Sequence, residues 1–221
     1  AKVIAIVNQK GGVAKSTSCV NLGIGLVKKG YKVLAIDFDP QGSLTESLGY
    51  QNPDELEITV ATILHCEMNG LELPESYGIL HHEEGLDILP ANIELSGVEV
   101  SLVNVMSREY VLKQFIKTIS PEYDYILIDC PPSLSMLTLN ALACCDSVLI
   151  PLQCEFYSLE GLTQLNDTIK RVRDHYNPTI DIEGIIFTMF VGRYNLTASV
   201  VAEVKKHFPK KVYDTVIPRN V

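Results

Sequence analysis

With 221 residues, 47% of them hydrophobic and 20% charged, the chain is long enough for one α/β domain over 1–221 with a sizeable core, and no apolar run approaches the ~20 residues of a membrane span. It carries 27 acidic and 18 basic residues, a net charge of −9, so the chain as a whole lacks the electrostatics of a nucleic-acid binder.

The first apolar run, expected as a strand over 2–8, begins almost at the start of the chain, with no signal-peptide pattern. Lys10-Gly11-Gly12-Val13-Ala14-Lys15-Ser16-Thr17 follows and leads into an amphipathic helix expected over 15–29 and closed by Gly30. A strand, a glycine turn and Lys-Ser at a helix head form a phosphate-binding loop. Backbone N–H groups from Gly11 through Thr17 face an anion, Lys15 reaches the β- and γ-phosphates, and Ser16 ligates Mg²⁺. Two positions depart from the general G-x-x-x-x-G-K-[ST] pattern. Gln9 and Ala14 stand where it has glycines. Alanine is compatible with the loop if φ is negative there and unfavourable if φ is positive. Lys10 is a second lysine, ahead of the loop, and one loop needs only one for its own phosphates. Its charge is read as serving a second nucleotide across a dimer interface.

The next strand, over 32–38, ends Ala35-Ile36-Asp37-Phe38-Asp39-Pro40-Gln41-Gly42. Asp37 and Asp39 are two residues apart, so on an extended strand they share a face. Asp39, the outer one, is expected to position an attacking water, and Asp37 to join the metal set. A helix over 59–65, a polar surface excursion over 66–85, a strand over 86–90 and a helix over 108–119 come next. The strand over 125–130 ends Ile126-Leu127-Ile128-Asp129-Cys130-Pro131-Pro132. This is the form of a Walker B segment, with Asp129 holding Mg²⁺ through a water. The remaining elements are helices over 134–144, 159–176 and 195–207 and strands over 147–152, 183–190 and 212–217. Strands this short and aliphatic, alternating with helices, predict a mostly parallel central sheet with helices on both faces and ligands at the carboxyl ends of the strands.

None of the six cysteines (Cys19, Cys66, Cys130, Cys144, Cys145, Cys154) forms a C-x-x-C pair, so they are expected as buried free thiols. Charge is uneven. From Arg193 onward six bases (Arg193, Lys205, Lys206, Lys210, Lys211, Arg219) face two acids (Glu203, Asp214), a local +4. That segment reads either as a solvated helix face or as a phosphate-binding patch.

These stretches together resemble the ParA/Soj group of deviant Walker A ATPases, with MinD and the nitrogenase iron protein as wider relatives. The matching segments are 8–17, Asp37-Phe38-Asp39-Pro40-Gln41-Gly42, Asp129-Cys130-Pro131-Pro132-Ser133, Pro151-Leu152-Gln153-Cys154-Glu155 and Val216-Ile217-Pro218-Arg219-Asn220-Val221, in family order. The resemblance implies a P-loop NTPase fold and ATP and Mg²⁺ as cofactors. It implies catalytic roles for Lys10, Lys15 and Asp39, with Lys10 contacting the ATP of the partner subunit in a homodimer. Metal contacts would come from Ser16, Asp37 and Asp129. Pro131 and Pro132 would lie in a switch segment, Pro218 beside the adenine, and Arg193 on non-specific DNA. It also implies a ParB-type activator, a role in plasmid or chromosome partitioning, and a cytoplasmic, nucleoid-associated protein. Relatives continue beyond the Ile-Pro-Arg-Asn-Val stretch, so the chain is expected to lack a C-terminal segment. A MinD-like membrane ATPase needs a terminal amphipathic helix. An iron–sulfur reductase needs cysteines at positions not matched here, and a bacterial tyrosine kinase needs a Tyr-rich tail. The MinD-like membrane ATPase and a nucleotide-binding scaffold with little ATPase activity remain as alternatives.

Overall fold

The structure is a computed structural model that describes residues 1–155, 157–193 and 195–219. Sixteen elements follow one another: β1 (Lys2–Ile6), α1 (Lys15–Val27), β2 (Val33–Asp37), α2 (Ser43–Ser47), α3 (Val60–Asn69), β3 (Leu80–His81), β4 (Asp87–Leu89), α4 (Glu94–Leu102), α5 (Val111–Ile119), β5 (Tyr125–Asp129), α6 (Met136–Cys144), β6 (Ser147–Gln153), α7 (Ser158–His175), β7 (Asp181–Phe190), α8 (Asn195–His207) and β8 (Val212–Pro218). The strands form one eight-stranded sheet in the order β3-β4-β2-β5-β1-β6-β7-β8. All pairs are parallel except β3 with β4.

The period-2 pattern of the strands sorts their side chains onto two faces. Val3, Ala5, Val7, Leu34, Ile36, Ile126, Ile128, Val148 and Ile150 pack against helices α3 to α8. Ile4, Ile6, Val33, Ala35, Leu127 and Leu149 face the other way, toward α1 and α2. Both faces are apolar, which is why the central strands read as continuous Ile/Val/Leu runs. α1 lies so close to the sheet that a Cβ on Gly23 would fall 2.9 Å from Leu86 Cδ1.

The mostly parallel sheet matches the expected fold class, and the structure adds elements to it. The polar excursion contains the short antiparallel edge strand β3, and α3 runs to Asn69, where Gly70 ends it at φ 62°. The Pro-Gln-Gly after Asp39 leads directly into α2. The segment expected as one helix over 108–119 begins with a 3-10 turn, Arg108–Tyr110, before α5. α4 was not expected at all: Gly97 and the β-branched Val98 and Val100 weaken the helical signal, and only Leu95 and Leu102 are buried. All six cysteines are free, as expected; Cys19, Cys66, Cys130 and Cys145 are buried, whereas Cys144 and Cys154 are only partly so.

Asn177 secures the turn between α7 and β7. Its buried amide donates to Leu142 O at 2.9 Å and to Cys145 O at 2.7 Å, where α6 ends. Replacing it by alanine removes both of these buried hydrogen bonds. We expect Asn177→Ala to lower the unfolding free energy by about 1–3 kcal/mol, measured by urea denaturation.

Candidate functional site

The phosphate loop leaves β1 and enters α1 at its N-terminus. That helix start is bare: Ala14 offers no side-chain cap, and no acid stands in the first turn. The N–H groups from Gly11 to Ala14 donate to no backbone carbonyl among the described residues. Open N–H groups at the positive end of a 13-residue helix form an anion cradle. Ala14 itself has φ 65° and ψ 37°, the left-handed region. This is the unfavourable case anticipated for a residue with a Cβ, at a cost of about 1–2 kcal/mol.

Lys15 lies at the centre. Its side chain is buried, and Nζ donates to Lys10 O at 3.3 Å. Burial lowers its pKa, and the nearby carboxylates of Asp129 and Asp39 partly restore it. Lys10 sits further out. Its ammonium forms an ion pair with Glu155 and donates to Gln153 Oε1 at 3.2 Å, both at the end of β6. The structure therefore shows the second lysine engaged within its own chain, at a position where 47% of the side chain is accessible.

Three carboxylates reach the same rim. β2 and β5 are neighbours, and their register places Asp37 opposite Asp129. Asp129 is buried, and neither of its carboxylate oxygens has a hydrogen-bond partner. Burial first, then the charge of Asp37, lifts its pKa to about 8, against the pull of Ser16 and Lys15. Asp37 is hydrogen-bonded within its own chain. Its Oδ2 accepts from Thr45 N at 2.8 Å and Thr45 Oγ1 at 2.7 Å, and its Oδ1 accepts from Asp39 N at 3.3 Å. This carboxylate anchors the first turn of α2 through Oδ2, and its Oδ1 carries a single bond at 3.3 Å. Burial lifts its pKa to about 6. Asp39 lies beyond the strand, half-buried, with Oδ1 accepting from Gln41 N at 3.0 Å. The donor set suits Mg²⁺ held jointly by protein and substrate. One carboxylate without partners, one hydroxyl (Ser16) and a lysine are present, and no cluster of three acidic, His or Cys ligands occurs among the described residues.

Three side chains to which the sequence pattern assigns no role hold this arrangement. Asn8 donates to Pro151 O at 2.7 Å, Gln153 to Gly12 O at 2.9 Å, and Thr188 to Val13 O at 3.0 Å. A polar residue at the end of an apolar strand was the available signal, and it did not reveal the partners.

The basic segment does not form one patch. α8 carries the chain from Arg193, just past the carboxyl end of β7, about 20 Å back to the opposite end of the sheet. There Lys211 pairs with Asp181 at 2.7 Å, Lys206 with Glu203 at 3.7 Å and Lys205 with Asp214 at 3.9 Å. Arg219 returns to the first rim, its N–H on Phe190 O at 3.2 Å. Pro218 lies at this rim too, paired with Phe190. Asn220 and Val221 of the terminal motif lie outside the described residues. No helix among the described residues is long and apolar enough to cross a membrane.

A glycine turn between a central strand and an uncapped helix, with a buried carboxylate at the adjoining strand end, defines a P-loop nucleotide-binding protein. The family model described as an AAA domain matches residues 1–182. Across its full length the chain is 49% identical to the sporulation initiation inhibitor protein Soj of Bacillus subtilis (strain 168), covering 85% of that protein. It is 46% identical to the chromosome partitioning protein ParA of Myxococcus xanthus, covering 76% of it. Among solved structures, it resembles a Mycobacterium smegmatis protein described as cobyrinic acid a,c-diamide synthase with bound ATP analog and magnesium. The TM-score is 0.91 at 38% identity, over 100% of this chain and 88% of that one. A plasmid partition protein from Borrelia burgdorferi gives a TM-score of 0.81 at 29% identity, over 99% and 90% of the two chains. The chain belongs to the ParA/Soj family of P-loop ATPases.

The raised carboxylate pKa values have a direct consequence. In the native state Asp37 and Asp129 keep protons that the unfolded chain, with carboxylates near 4, has released. The native state then binds more protons, so stability falls as pH rises from about 4 to about 8. With chelator and no nucleotide, we expect a lower Tm at pH 8.5 than at pH 6. Asp129→Asn should remove most of the change above pH 6.

Proposed function

We propose that this chain is an ATP-dependent dimerisation switch. It binds ATP with Mg²⁺, hydrolyses it slowly, binds DNA non-specifically as the ATP dimer, and acts in plasmid or chromosome partitioning with a ParB-type activator. The observation that carries the reading is the Asp129 carboxylate, buried and without a partner, beside Lys15 at the head of an uncapped helix. A protein that placed no cation there would leave that oxygen pair unsatisfied at considerable cost.

The residues take distinct parts. The loop N–H groups and Lys15 bind and orient the phosphates, which is most of what phosphoryl-transfer catalysis requires. Ser16 and Asp129 would hold Mg²⁺, which supplies charge neutralisation at the phosphate oxygens. Asp37 acts on this set through α2, by fixing Thr45. Asp39, outside β2 and with its carboxylate accepting from Gln41 N, is placed to orient the water. Pro218 borders the base.

Lys10 is the link to assembly. Its pairing with Glu155 is half-exposed, so it contributes only about 0–1 kcal/mol. A triphosphate presented by a second subunit is a stronger partner, and the exchange makes dimerisation depend on nucleotide. Arg193 is on the same rim, so pairing two subunits multiplies the contacts to DNA phosphates. The lysines at the opposite end of the sheet lie away from this rim and take no part. In the cell this makes the ATP state nucleoid-associated and the released state diffusible, without a stable membrane contact.

Sedimentation velocity at saturating ATP and Mg²⁺ tests the switch. The wild type should sediment as a dimer and Lys10→Ala as a monomer, and unchanged association of the variant discards the mechanism. Asp39→Ala should dimerise normally while hydrolysis slows about 100-fold or more. DNA retention gives a separate reading. Arg193→Ala should weaken ATP-dependent binding uniformly across sequences and lower the salt slope by about one for each phosphate that is no longer neutralised.

A further inference from the structure

The carboxyl ends of β6 and β7 meet the phosphate loop from behind, and each contributes one side-chain donor to it. Gln153 Nε2 donates to Gly12 O at 2.9 Å, and Thr188 Oγ1 donates to Val13 O at 3.0 Å. Both side chains are buried. The two carbonyls belong to consecutive peptides. A trans peptide is planar, and its C=O and N–H point in opposite directions. Drawing Gly12 O toward β6 therefore turns the Val13 N–H away from β6. Drawing Val13 O toward β7 turns the Ala14 N–H away from β7. Neither N–H has a backbone acceptor among the described residues.

Two further observations converge on this pair. Gln153 also accepts from Lys10 Nζ at 3.2 Å, so one amide restrains both the start and the middle of the loop. β7 is irregular here: its register with β8 shifts between Phe187 and Phe190, and Met189 has φ 49°. Irregularities of this kind re-aim side chains at sheet ends. The adjacent Thr188 is fully buried and spans 175 residues of sequence to reach the loop.

We propose that Gln153 and Thr188 are positioning residues for the nucleotide. By fixing the carbonyls of Gly12 and Val13 they aim two consecutive N–H groups at the phosphates, and they hold Ala14 in its left-handed conformation. The inference rests on the reading of the loop as a triphosphate site.

The test is the affinity of purified wild type and variants for a fluorescent ATP analogue with Mg²⁺. Thr188→Val keeps the branched shape and removes the donor, and Gln153→Leu removes the amide. Each should weaken binding roughly tenfold, the value of one hydrogen bond. Thr188→Ser keeps the hydroxyl and should bind like the wild type. The decisive comparison is with Ala14→Gly. Glycine takes the left-handed conformation without enforcement, so Thr188→Val should cost clearly less in that background. Wild-type affinity in both Thr188→Val and Gln153→Leu overturns the proposal. So does a Thr188→Val loss that is equal with and without the Ala14→Gly change, because a general loosening of β7 would act alike in both. A wild-type protein that fails to bind the analogue removes the triphosphate reading itself, and this inference with it.

Discussion

The rest of the site is organised around a carboxylate that the protein does not satisfy. Asp129 ends the strand between β1 and β2, is almost fully removed from water and makes no close hydrogen bond, with the Ser16 hydroxyl and the Lys15 ammonium beside it. Asp37 stands opposite it across the β2–β5 pair. Two acids so placed cannot both ionise easily, and burial and mutual repulsion lift Asp129 to about 8. A cation and its phosphates reverse that balance. The cost is carried in the empty state and relieved in the bound one, so it favours binding without any moving part.

Parallel topology concentrates this chemistry. With every strand but β3 running the same way, the carboxyl ends of β1, β2, β5, β6, β7 and β8 open onto one rim. Lys15, Asp39, Asp129, Gln153, Thr188 and Arg193 all follow from that single fact. The same topology separates the C-terminal basic residues. A crossover helix must return the chain to the start of the next parallel strand, so α8 puts Arg193 at one end and Lys205, Lys206 and Lys211 at the other. Those lysines then neutralise acids of their own neighbourhood. Net charge along a segment therefore overstates the patch that a polyanion meets.

Strain lies at the loop's edges. Ala14 and Met189 are both non-glycine residues with positive φ, and both flank the hydrogen bonds from β7 and β6. Such conformations persist where surrounding contacts over-determine them. The cross-strand donors supply that determination, and the fold behind the loop is as much a part of the phosphate site as the glycines within it.

Residues near each other in sequence carried most of what was legible. The 8–17 loop, the aspartates at the ends of β2 and β5, and the order of strands and helices were readable because aliphatic runs, turn glycines and helix-start residues act within a few positions. α4 was not, since Gly97 and two β-branched valines obscure its period and just two of its residues are buried. Tertiary structure alone decided the rest. The Thr45 partner of Asp37, the Glu155 partner of Lys10, the Gln153 and Thr188 donors and the sign of φ at Ala14 all depend on which strand ends meet. Gly12 and Gln153 are 141 residues apart, and only the β1–β6 pairing brings them together. A local pattern records how a residue is buried and how its backbone turns. Which buried group it meets is set by sheet order, and no short-range pattern contains that.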